Sequence, residues 1–248
     1  CGAFPDREGT LFRVWAPRAA SVELRLDAPE GAALKMKSKD GYWEAYSRRA
    51  GQGTRYTYSV DGGEPRPDPA SRSQPLGVHG PSEVVDQAAF YWRDGAWKGL
   101  PREQLIIYEL HPGTFSAGGD FAGVEARLDY LKELGVTALE LMPVAQFPGD
   151  RNWGYDGVYP YAPQASYGGP AALKRLVDAC HRAGLAVILD VVYNHLGPEG
   201  NYLDVYGPYF TDHYRTPWGR ALNFDGPDSV PVREFFLENA LYWFRDFH

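Results

Sequence analysis

The 248-residue sequence is poor in cysteine: Cys1 and Cys180 are the only two, far too distant to read as a disulfide framework or a metal-ligand spacing. It contains no apolar run near the roughly 18 residues of a membrane span. No basic segment followed by an apolar stretch opens it, so neither a membrane helix nor a secretory leader is expected, and the cytoplasm is the expected compartment. Positive charge is also scarce. Lys and Arg number 25 against 32 Asp and Glu, for a net charge of -7 and a pI near 5.4. That balance lacks the electrostatic footprint of a nucleic-acid or anionic-membrane binder and suits a neutral or cationic partner, such as a neutral sugar polymer. Several catalytic motifs are missing as well. Ser116-Ala117-Gly118-Gly119-Asp120 lacks the lysine and spaced glycines of a phosphate loop and reads as a turn. There is no Gly-x-Ser-x-Gly elbow and no pair of histidines at i, i+4, which removes serine-hydrolase and zinc-protease readings.

What the sequence has in quantity is aromatic residues, 15% with 7 Trp and 17 Tyr, many of them in segments without core periodicity. Residues 1–60 read as short strands: Leu11 to Ala16, Ser21 to Leu26, Ala33 to Lys37, Gly41 to Ser47 and Thr54 to Val60, separated by turn formers. Val22, Leu24 and Leu26 alternate with charged residues, as do Tyr56, Tyr58 and Val60 with polar ones, which predicts a small antiparallel β-sandwich. Residues 61–101 hold Pro65, Pro67, Pro69, Pro75, Pro81 and Pro101 and read as a Pro-rich connector whose Trp92 and Trp97 pack on a neighbouring domain.

From residue 102 to 248 the period alternates between strand and helix. The pattern predicts strands at Gln104 to Leu110, Thr137 to Met142 and Leu185 to Val191, with helices at Phe121 to Leu134, Pro170 to Ala183 and Pro231 toward Phe247. Val124, Leu128 and Leu131 form one helix stripe; Leu173, Leu176, Val177 and Cys180 form another. Two helices run into Gly135 and Gly184, with a strand following at once, which is the join of repeated β/α units. Such units build a parallel sheet, either doubly wound or the beginning of an eight-fold barrel.

Leu185–Val191 is apolar at six of seven positions and predicts a strand buried on both faces. Asp190 falls at its end, with Asn194 and His195 just beyond, where parallel strands deliver side chains to the rim that carries chemistry. The loops after the second and third strands, Pro143 to Gly169 and Tyr193 to Val230, are far longer than the usual 2 to 6 residues or so. They carry Trp153, Tyr155, Tyr159, Tyr161, Tyr167, Tyr202, Tyr206, Tyr209, Tyr214 and Trp218. Most of these aromatics are expected to pack on one another and a minority to face a ligand. Pyranose rings offer flat C–H faces edged with hydroxyls, so a site for them wants aromatic plates beside groups such as Glu109, His111, Asp156, Asp190, Asn194 and His195.

Asp190-Val191-Val192-Tyr193-Asn194-His195 resembles the first signature region of the alpha-amylase superfamily, found there at the end of the third barrel strand. Leu11-Phe12-Arg13-Val14-Trp15-Ala16-Pro17 resembles the immunoglobulin-like domain that precedes the barrel in its branching, debranching and trehalose-releasing members, and Ile107-Tyr108-Glu109-Leu110-His111 resembles their first strand. Asn152 to Val158, Ser166 to Pro170, Thr216-Pro217-Trp218-Gly219 and Asn223-Phe224-Asp225 are most similar to the maltooligosyltrehalose trehalohydrolase family within it.

The resemblance implies an immunoglobulin-like β-sandwich followed by the first three β/α units of a (β/α)8 barrel. It implies a retaining hydrolase that cuts the alpha-1,4 bond next to the terminal trehalose of maltooligosyltrehalose, working alongside a maltooligosyltrehalose synthase. Alternatives are a glycogen branching or debranching enzyme, or a glycan-binding fragment with no activity of its own. In the resemblance Tyr155 stacks under the sugar, His195 hydrogen-bonds its hydroxyls and Asp190 holds the charged groups of the site, with Trp153, Asp156 and Trp218 completing the substrate-binding set. No cofactor or metal is implied; Asn194, which supports calcium in many alpha-amylases, is expected to be structural. The family's nucleophile and acid/base come from later strands, so the catalytic carboxylates are expected beyond His248.

Overall fold

The computed structural model describes residues 1–27 and 32–248. Residues 1–60 contribute seven strands: β1 (Gly2–Pro5), β2 (Thr10–Trp15), β3 (Val22–Leu26), β4 (Ala33–Lys35), β5 (Lys37–Lys39), β6 (Tyr42–Ser47) and β7 (Arg55–Val60). They form two antiparallel sheets, β1-β2-β6-β5 and β4-β3-β7 extended by a further strand. The expected alternation places Val22, Leu24 and Leu26 inside, against Phe12, Tyr56 and Tyr58, while Glu23 and Arg25 pair outside at 2.9 Å. Phe12 and Tyr56 meet edge to face at 4.8 Å.

Two expectations need correction here. The strand read over Ala33 to Lys37 breaks at buried Met36, whose N–H donates to Val22 O at 2.9 Å, so the chain changes sheets: β4 pairs with β3 and β5 with β6. The sandwich also does not stop at residue 60. β8 (Ser82–Glu83), within the supposed connector, pairs with Arg55 and Tyr56 and completes the second sheet. Asp68, Ala70, Ser71 and Gln74 are buried with it. This polar stretch can be interior because its groups are satisfied. Asp68 Oδ2 accepts the Tyr56 hydroxyl at 2.8 Å, and Ser82 Oγ accepts the Asp68 N–H at 2.9 Å.

The second half supplies β9 (Ile107–Leu110), α1 (Pro112–Phe115), α2 (Phe121–Glu125), α3 (Leu128–Glu133), β10 (Ala138–Leu141), β11 (Ala145–Gln146), β12 (Tyr159–Pro163), α4 (Gly169–Ala183) and β13 (Ala186–Leu189). After β13 come α5 (Leu203–Tyr206), the hairpin β14 (Phe210–Thr216) and β15 (Gly219–Leu222), and α6 (Ser229–Asp246). The parallel sheet runs β13-β10-β9, with Leu110, Leu141 and Leu189 in register. β13 lies at one side of these three strands, and its four residues are half-buried. The helix expected over Phe121 to Leu134 divides at Ala126 and Arg127 but keeps its stripe of Val124, Leu128 and Leu131 buried. Among the described residues no helix is long and apolar enough to cross a membrane.

The connector binds the β/α layer through buried polar groups. His181 of α4 and His248 each contact Asp94 Oδ2 through Nδ1 at 2.8 Å, and each imidazole stacks on a tryptophan of the connector, Trp97 and Trp92 respectively. Burial pushes the Asp94 carboxyl up, but the two imidazole bonds outweigh it and hold the group below its ordinary value. The sandwich joins the same layer through Arg72, whose guanidinium lies over the rings of Phe4, Tyr161 and Tyr242 at 4.8, 5.5 and 5.4 Å.

Candidate functional site

Side chains alternate across a strand, so the register fixes which residues share a face. Leu110, Leu141 and Leu189 face one side, where Leu110 and Leu141 are buried; Glu109, Glu140 and Ile188 align on the other. Asp190 lies two residues past Ile188 on that second face, and its N–H extends the ladder to Leu141 O at 3.0 Å.

Tyr155 stands close to these carboxylates. Its hydroxyl is pushed above the ordinary tyrosine range by desolvation and then by the negative charges of Asp190 and Glu109. The residue is 39% exposed.

Local hydrogen bonding sets how the loop presents this ring. Asn152 Oδ1 accepts the N–H groups of Gly154 at 2.7 Å and Asp156 at 3.4 Å, and its Nδ2 donates to Asp156 Oδ2 at 2.7 Å. The Asn152 carbonyl lies 2.6 Å from His111 Nε2 and can only accept, so Nε2 carries the proton; Nδ1 then accepts from Thr114 Oγ1 at 3.2 Å. His111 and Asp156 therefore brace the loop. Gly154 has φ +97°, and a Cβ there would lie 2.0 Å from Pro143 O, so the turn that projects Trp153 and Tyr155 requires glycine. Trp153 is 74% exposed.

The loop after β13 supplies His195, which is only 8% exposed. Asn194 Oδ1 bonds its Nδ1 at 3.0 Å, leaving Nε2 for another partner. Its ring stacks on Trp218 with centroids 5.1 Å apart and planes at 20°. Trp218, 65% exposed, sits at the tip of the β14–β15 hairpin.

The two loops touch where Gly197 N–H donates to Gly157 O at 3.1 Å. A Cβ on Gly197 would come within 2.2 Å of Asp156 O. Gly197→Ala is expected to cost about 1–3 kcal/mol through this overpacking, read as a lower urea midpoint, and an unchanged midpoint would mean that the loops part without strain.

Of the aromatics in these loops, Tyr159, Tyr161, Tyr167, Tyr206 and Tyr209 are buried, whereas Trp153, Tyr155, Tyr214 and Trp218 are exposed. Two organising residues were not anticipated. Asn152 is legible only as the start of an Asn-x-Gly turn, while Asn239 shows only as one amide within the aromatic α6, a signal too slight to act on.

The chain thus combines a β-sandwich with β/α units that carry carboxylates at the strand ends beneath long aromatic loops. Residues 67–225 match the family model for the alpha-amylase catalytic domain, and residues 1–74 match carbohydrate-binding module 48, the isoamylase N-terminal domain. The chain belongs to the alpha-amylase family.

It is 51% identical over 243 residues to a malto-oligosyltrehalose trehalohydrolase from Saccharolobus solfataricus, covering 98% of this chain and 43% of that protein. A Salmonella typhimurium protein described as an alpha amylase superposes with a TM-score of 0.94 at 44% identity, over 100% of this chain and 42% of the other. The maltotetraose complex of an Anoxybacillus pullulanase superposes at 0.85 with 29% identity, over 99% and 43%. The chain thus spans less than half the length of these relatives, and its β/α units are the first three of their (β/α)8 barrel.

Proposed function

We propose that this chain is the N-terminal portion of a maltooligosyltrehalose trehalohydrolase, a retaining glycosidase that releases trehalose by cutting the alpha-1,4 bond beside the terminal trehalose unit. The observation that carries the reading is the 51% identity, extending over 98% of the chain, to a protein named for that activity. Tyr155 provides the plate on which a glucose ring stacks, and the free Nε2 of His195 bonds the sugar's hydroxyls. Asp190 orders the charged groups of the rim. Trp153 and Trp218 add further exposed apolar plates for the sugar, and Asp156, held by the Asn152 turn, completes the binding set. The nucleophile and the acid/base, two carboxyl groups about 5 Å apart in a retaining enzyme, come from strands beyond His248. No cofactor is required. The substrate is an alpha-glucan carrying a terminal trehalose, which a maltooligosyltrehalose synthase would supply, and both enzymes would work in the cytoplasm.

A branching or debranching activity is the second reading, favoured by the pullulanase likeness. Product analysis of the full-length polypeptide separates the two, since only the trehalohydrolase liberates free trehalose from maltooligosyltrehalose. In that polypeptide Tyr155→Ala is expected to weaken substrate binding by about 1–3 kcal/mol, the scale of an aromatic stacking contact, with the fold intact by circular dichroism. Wild-type KM and kcat in that variant would return Tyr155 to a packing role.

A further inference from the structure

The two loops of the site converge on one buried amide outside it. Asn239 lies in α6 and is fully buried, so each of its polar atoms needs a partner. Its Oδ1 accepts the Tyr193 hydroxyl at 2.5 Å and Trp243 Nε1 at 3.2 Å, and its Nδ2 donates to Pro160 O at 3.0 Å. Tyr193 belongs to the loop after β13, three residues past Asp190 and two before His195. Pro160 is in β12, five residues past Tyr155. The Tyr193 ring also packs on Phe236 of α6, at 5.2 Å between centroids.

We propose that Asn239 is a positioning residue for the glucan site, its single amide locking the loop that carries Asp190 and His195 to the loop that carries Tyr155. The inference rests on the function proposed above. Donor and acceptor are not interchangeable in this arrangement: the oxygen faces two donors and the nitrogen faces a carbonyl, so the amide defines one relative placement of the loops. α6 is an 18-residue helix anchored by buried aromatic side chains, which makes it a rigid reference for both.

The test uses matched deletions in the full-length polypeptide. Tyr193→Phe removes the bond to the site loop, while Trp243→Phe removes the other bond to the same Oδ1, which comes from Asn239's own helix and holds no loop. Both are expected to lower the urea midpoint by similar amounts. Only Tyr193→Phe is expected to raise KM for the alpha-glucan that the wild type turns over, by roughly three- to tenfold with kcat within about twofold, the scale of one hydrogen bond's ordering. Asn239→Asp keeps an oxygen for Tyr193 but turns a second oxygen on Pro160 O, and should raise KM by a similar factor through the other loop. Equal KM effects in Tyr193→Phe and Trp243→Phe, or none in both Tyr193→Phe and Asn239→Asp, would reduce Asn239 to core packing. Wild-type turnover of an alpha-glucan without trehalose release would overturn the proposed function alone, because the KM comparison can be made on that glucan.

Discussion

Residues 1–248 expressed alone should release no trehalose from maltooligosyltrehalose. The groups at the rim can grip and orient a sugar, but retaining hydrolysis needs a nucleophilic carboxylate with an acid/base partner about 5 Å away, and the proposed function draws both from later strands. The isolated chain should also be poorly behaved. β13 is an edge strand, and an apolar groove of about 350 Å3, lined by Val187, Leu189, Trp243 and Phe244 among others, runs beside it. Phe244, part of that lining, is exposed, so aggregation through this face is expected while the sandwich stays folded. Trehalose assay and limited proteolysis of the purified chain read the two parts separately. Measurable turnover would put a catalytic pair among Glu109, Asp156 and Asp190 and overturn the assignment of chemistry beyond His248.

Asp68→Ala should destabilise the sandwich by about 3–5 kcal/mol, because it strips the partner from the Tyr56 hydroxyl and the Ala70 N–H in a fully buried site and leaves a cavity. The damage would spread to the site-bearing loops. Tyr58, next to Asp68, meets Tyr206 edge to face at 6.4 Å, and the Tyr206 hydroxyl bonds Pro67 O at 2.7 Å.

Asp68→Asn preserves the shape and supplies the pH test. Desolvation raises the Asp68 pKa above its ordinary 3.8, against the opposing pull of the Ala70 N–H and the Tyr56 hydroxyl. A carboxyl raised by folding contributes stability that is fully present below the unfolded pKa and is lost as pH rises through the folded one. The stability of the wild type relative to Asp68→Asn should therefore be greater at pH 3 than at pH 7. Urea midpoints at the two pH values measure it, and the opposite trend would mean that the carboxylate's hydrogen bonds outweigh its desolvation.

Much of this architecture was legible in the chain because its signals are local. Alternation at Val22, Leu24 and Leu26 marks a half-buried strand whatever it pairs with. The 3.6-residue stripe of α4 ending at Gly184, followed at once by β13, is a β/α join written in consecutive residues. Asp190 at the end of an apolar run announces a strand-end carboxylate in the same way.

Other features depend on partners far along the chain, where periodicity carries no information. Met36 looks like part of one continuous strand until its N–H is seen bonded to Val22. Residues 61–101 read as a connector because proline and polar side chains signal exposure. Burial of Asp68 and Ser82 becomes affordable only through bonds formed after the sheets have paired. The sequence by itself determined the β/α repeat and the carboxylate just past the third strand, since each follows from the preferences of neighbouring residues, but not β11, β12, α5 or the β14–β15 hairpin, which form within segments that read as loops. Only the tertiary structure decided which aromatics face solvent, how far the sandwich extends and that Asn239 joins the two loops, because a buried polar group is stable solely where distant donors and acceptors converge on it.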